Sequence, residues 1–118
     1  MDGAAIIKKK QKGIYYTMAS TQLFDGSKYD RDTNPNKLLT NSWFNLKTEI
    51  TNLSALKVRI RVFVDLTATG SAQLVAEAID DGKSFGGPAI TKAGYAGIRT
   101  DFMDATIKGY EVQTADRN

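Results

Sequence analysis

The stretch LKVRIRVFVD, residues 56–65, decides the fold. Val58, Ile60, Val62 and Val64 alternate with Lys57, Arg59, Arg61 and Phe63. A period of two, with β-branched residues on one side and mostly cations on the other, predicts a strand half buried in a sheet. Just upstream, WFNLKTEI places Phe44, Leu46 and Ile50 on one side and Asn45, Lys47 and Glu49 on the other. The linking TNLSA is rich in turn formers, so the two segments predict an antiparallel hairpin.

The same period extends outward. AQLVAEAID, Ala72 to Asp80, is short and sits between the breakers TATGS and DDG, which favours strand over helix despite its alanines. DDGKSFGGP follows as a loop of turn residues. Tyr95–Thr100 and Ala105–Val112 predict a last hairpin around the turn at Asp101–Asp104. Before the centre, AAIIKKK and GIYYTMAST read as two strands split at Gln11-Lys12-Gly13, with a short third strand at QLF. FDGSKYDRDTNPNK, residues 24–37, is a polar loop. Some seven short strands separated by turns predict one all-β domain over 1–118, an antiparallel β-sandwich of jelly-roll-like type.

Bulk composition narrows the chemistry. The 118 residues suit a single core. There is no cysteine and no histidine. Disulfides, thiolate metal sites, Cys nucleophiles and Ser-His triads are excluded, leaving carboxylate, Lys and Tyr as the catalytic vocabulary. No apolar run approaches the roughly 20 residues that span a bilayer, so membrane insertion is not expected. The start MDGAAIIKKKQKG sets few apolar residues ahead of its lysines, the reverse of signal-peptide order. Net charge is +3, with much of the excess in Lys8–Lys12. A solvated strand end is the plain reading of that run and a phosphate-binding patch the sharper one.

From Trp43 to Val112 the succession is Trp, LKTEI, KVRIRVFVD, LVAEAID, a Gly-rich loop, GYAGIRTD and DATIKGYEV. This resembles the closing half of concanavalin-A-like jelly rolls, the laminin-G-like and glucanase-like group. The resemblance implies a last strand that pairs back into the sheet and seals the core. It also implies a binding role, with carbohydrate as the expected ligand. The chain is shorter than such domains, so trimmed first strands, a longer parent protein or a neighbouring subunit must supply the rest. The glucanase branch carries carboxylates two residues apart on one strand, where both reach one glycosidic bond. Here Glu49, Glu77 and Glu111 fall on three different predicted strands, which argues against hydrolysis.

Candidate sites follow from residue type. Asp25, Asp30, Asp32 and Asn34 offer oxygen ligands at short spacing that suit Ca²⁺, although Lys28 and Arg31 interrupt them and a solvated loop is the plainer reading. No other cofactor is expected. Tyr15, Tyr16, Tyr29 and Trp43 offer faces for stacking on a sugar, or else belong to the core and sheet edges. Arg59 and Arg61 form a cationic stripe suited to an acidic partner, a subunit or a glycan carboxylate, or to plain solvation. Asp80, Asp81 and Lys83 are accounted for by turn chemistry rather than catalysis. The expectation is a non-enzymatic module of one of two kinds. One is a carbohydrate-recognition or adhesin jelly roll on a phage, virus or cell surface. The other is a purely structural, oligomeric virion subunit: capsid decoration, tail or fibre. A single-strand nucleic-acid binder, resting on Lys8–Lys12 with Tyr15 and Tyr16, ranks third.

Overall fold

The computed structural model describes residues 4–23, 43–66, 68, 70–98 and 106–114. These residues form five strands: β1 (Ala4–Gln11), β2 (Ile14–Gln22), β3 (Asn45–Asn52), β4 (Val58–Asp65) and β5 (Gln73–Asp80). There is no helix among them. All pairings are antiparallel, β1 with β2 in one sheet and β3-β4-β5 in the other. The protein is an all-β, antiparallel sandwich. Its described pairings are a hairpin and a meander, each strand beside its sequence neighbour; a jelly-roll crossing is not among them.

The turns follow from local chemistry. Gln11 pairs with Ile14 across a two-residue loop, and Lys12 and Gly13 both have positive φ, 52° and 80°. That is the type I′ geometry whose twist matches the strands it joins. At the β3–β4 turn, Leu53 N–H donates to the Lys57 carbonyl at 2.9 Å.

The alternation in β4 sorts as its residue types require: Val58 and Val64 are buried, and Ile60 and Val62 pack against the core. That core is Ile7 of β1 with Ala76 and Ala78 of β5, flanked by Met18 and Ala19 of β2. Two bulges shape it. Ile7 pairs with Ala19 but Lys8 with Thr17, leaving Met18 extra; Val62 pairs with Ala76 but Phe63 with Leu74, leaving Val75 extra. A bulge turns two successive side chains toward one face, which lets Met18 and Ala19 both reach the core.

Of QLF, Gln22 ends β2, Leu23 lies beyond it, and Phe24 is outside the described residues. The last hairpin does not form where the chain is described: residues 95–98 and 106–112 join no ladder, and Tyr95 is fully exposed. Gly94, Gly97 and Gly109 interrupt short segments, Gly109 at φ 67°, outside the β region. The expected sealing of the core by a final strand is therefore not seen among the described residues.

Candidate functional site

The hairpin lies over β5 and reaches across to Ile60 and Val62 of β4. At one end of this contact a charged pair lies inside the sandwich. Lys9 Nζ is 2.8 Å from Asp80 Oδ2, and each side chain is only 3% exposed. Lys9 also donates to the carbonyls of Gly87 (3.2 Å) and Pro88 (3.5 Å). Three acceptors thus meet the three ammonium protons. The other Asp80 oxygen accepts the Gly82 N–H at 3.0 Å. Taking two charges out of water costs several kcal/mol per ion, and only such saturation offsets it.

Around this pair the loop after β5 folds back between the sheets. Gln11 Nε2 donates to the Pro88 carbonyl at 3.2 Å, and Asn52 Nδ2 to the Thr91 carbonyl at 3.1 Å. Tyr16, opposite Lys9 in the ladder, lays its ring against Gly86, where a Cβ would overlap the ring. Gly86 has φ 75°, so glycine is required there twice over, by space and by backbone. Asp81 accepts the Ser84 N–H (2.7 Å), the Ser84 hydroxyl (2.7 Å) and the Lys83 N–H (2.9 Å). These bonds, those from Ser84 foremost, hold its carboxyl well below the usual carboxylate range. Asp81 thus caps the turn, as turn chemistry predicts, while Asp80 also anchors the buried Lys9, which turn chemistry does not predict.

A second buried carboxylate, Asp65, ends β4. It accepts the Gly70 N–H at 2.6 Å and faces Asn45 Nδ2 at 3.4 Å, tying the β4–β5 loop to the start of β3.

The predicted ligand residues that are described lie on different faces and sheets. Tyr15 and Tyr16, being adjacent on β2, point to opposite faces. Tyr15 is exposed beside Lys10, whose Nζ lies 4.9 Å from the ring centre. Trp43 precedes β3 in the other sheet, with Lys108 Nζ 5.6 Å from its ring centre. Arg59 and Arg61 share the outer face of β4, but the stripe is compensated: Arg61 stands opposite Glu49 and Glu77 in the ladders, with its Nε 2.6 Å from Glu77 Oε2. Tyr29, Asp25, Asp30, Asp32 and Asn34 lie outside the described residues. Among the described residues no three carboxylates gather as a metal site.

Sequence reasoning missed the inward Lys9, because Lys8–Lys12 read as one solvated run. The signal was the phase. Ile7 and Lys9 share a face, as do Ala76, Ala78 and Asp80, so each inward row ends in a charge, and the charges are opposite. The chain matches no family model, no curated protein and no solved structure.

Proposed function

We propose that the chain is a non-catalytic assembly module whose sandwich is completed by other chains. The observation that carries this reading is the unfinished apolar face. Leu46 and Ile50 lie on the core side of β3, opposite Val64 and Ile60, yet both are 63% exposed. The buried apolar residues described are Ile7, Val58, Val64, Ala76 and Ala78. A buried Val or Ile contributes roughly 1.5–3 kcal/mol and an Ala less, so this is a small core. Further apolar side chains stand in solvent along the rest of the chain, among them Ile90, Ile98, Ile107 and Val112. Exposed apolar surface of this extent marks interaction sites.

Catalysis is not favoured because, among the described residues, the glutamates and Asp80 are engaged by other groups. Lys9 and Asp80 saturate each other, Glu77 holds Arg61, Glu49 lies 3.5 Å from Lys47, and Glu111 accepts from Gln113. Glycan recognition is the weaker form of the binding reading, since Tyr15, Tyr16 and Trp43 make no common platform. A structural role in a particle, where copies meet at high local concentration, suits the chain better. The nucleic-acid reading loses Lys9, which faces inward.

The test is light scattering across a concentration series together with binding of a hydrophobic dye. The proposal predicts dye binding when dilute, lost as mass rises with concentration or on adding a partner. A chain that stays monomeric and binds no dye contradicts it.

A further inference from the structure

We infer that β3 pairs antiparallel with β3 of a second copy, about a twofold axis passing beside Thr48. This rests on the assembly reading and names its partner. Three observations carry it.

The first is regularity. The β3–β4 ladder runs from Asn45–Asp65 to Asn52–Val58 without a shift, whereas the β1–β2 and β4–β5 ladders each carry a bulge. Bulges twist an edge away from would-be partners, and a straight edge invites them. Among the described residues no strand lies beyond β3.

The second is self-complementarity. With Thr48 opposite its own copy, Lys47 faces Glu49 of the partner subunit, and Glu49 faces Lys47 of the partner subunit. On the other face Leu46 meets Ile50 of the partner subunit, and the reverse. Each favourable pair thus occurs twice, as an isologous contact requires. Directly opposed side chains approach to within about 5.5 Å at Cβ, close enough for both kinds of pair to interact.

The third is that other registers fail. Sliding by two residues in one direction sets Lys47 against Lys47; two residues in the other sets Glu49 against Glu49. Like charges directly opposed are destabilising. An odd offset would turn the Leu46–Ile50 face of one copy onto the charged face of the other. Longer slides shorten the ladder. Lys47 and Glu49 are reachable for pairing, with side chains 61% and 35% exposed.

The experiment is charge exchange read by sedimentation velocity from micromolar to millimolar protein, with circular dichroism as the check on folding. The wild type forms a dimer. Lys47→Glu and Glu49→Lys each place like charges across the axis twice, and each raises the dissociation constant about tenfold or more. The double exchange, Lys47→Glu with Glu49→Lys, restores the opposed pairs and recovers the dimer. Association unmoved by the single reversals overturns this inference while leaving the assembly reading intact. Weakening by both singles without recovery in the double overturns the register. A wild type that stays monomeric throughout also overturns it, and the dye measurement then decides whether the assembly reading falls too.

Discussion

The two sides of the three-stranded sheet make opposite use of similar residues. On the β5 side the chain closes over itself: the hairpin covers Ala76 and Ala78, and the Gly86–Pro88 segment plugs the end where Lys9 meets Asp80. On the β3 side nothing described covers Leu46 and Ile50, and the neighbouring charges, Lys47 and Glu49, are at the surface. The difference teaches where the specificity of the fold is held. A buried ion pair adds little net stability, but it penalises any arrangement that separates its members. The β5 side thus disfavours packings that part Lys9 from Asp80, while the β3 edge is regular and, among the described residues, uncovered.

The comparison can be broken most severely at Asp80. Asp80→Ala strands the Lys9 ammonium in the interior and is expected to cost about 3–5 kcal/mol, seen as loss of the cooperative urea transition. Replacing both, Lys9→Met with Asp80→Leu, should recover most of that loss. A single variant that costs under about 1 kcal/mol would mean that water reaches the pair.

Gly86→Ala comes next. The new methyl group meets the Tyr16 ring at a positive φ, and a loss of about 1–3 kcal/mol is expected by denaturation. Adding Tyr16→Ala should relieve the steric part and leave the backbone part.

Asp65→Ala removes the acceptor for the Gly70 N–H and is expected to cost about 1–3 kcal/mol. Hydrogen exchange should then quicken at the β4–β5 loop before it does in β5 itself.

Two surface contacts sharpen the contrast by their small size. Glu77→Gln, which breaks the half-exposed pair with Arg61, should change stability by about 0–1 kcal/mol and by less in high salt. For Asp81 the folded-state pKa is depressed below the ordinary 3.8. Its stabilisation is therefore present above that value and is lost as pH falls below it. Asp81→Asn should lower stability slightly in the neutral region, leave it unchanged at the acid end, and so flatten the acid limb of a stability-versus-pH curve.

Much of this fold was legible in the residues. Val58 to Val64 announced a half-buried strand, TNLSA and Gln11-Lys12-Gly13 placed two hairpins, and DDGKSFGGP announced its loop. What stayed hidden was non-local. The extra residues Met18 and Val75 shift the phase of their strands, and alternation within one strand does not show which partner imposes the shift. Lys9 looked solvated because its neighbours are lysines, and only the phase set by Ile7, met by the phase that ends at Asp80, turns it inward. Near the C-terminus, the alternation of Tyr95–Thr100 and Ala105–Val112 promised a hairpin, but alternation does not supply a sheet edge to join, and the glycines weaken both segments. The expected ligand residues show a related limit: residue type marked Tyr15, Tyr16 and Trp43 as stackers, whereas whether such residues share a face depends on how the sheets are laid out.

The central claim is that one flank of the sandwich is sealed by its own chain and the other by another chain. Hydrogen–deuterium exchange at increasing protein concentration tests it most directly. Peptides spanning β5 should be protected equally at every concentration, while those spanning β3 should gain protection as concentration rises. Exchange in β3 that is independent of concentration, whether fast or slow, would contradict closure by a second copy.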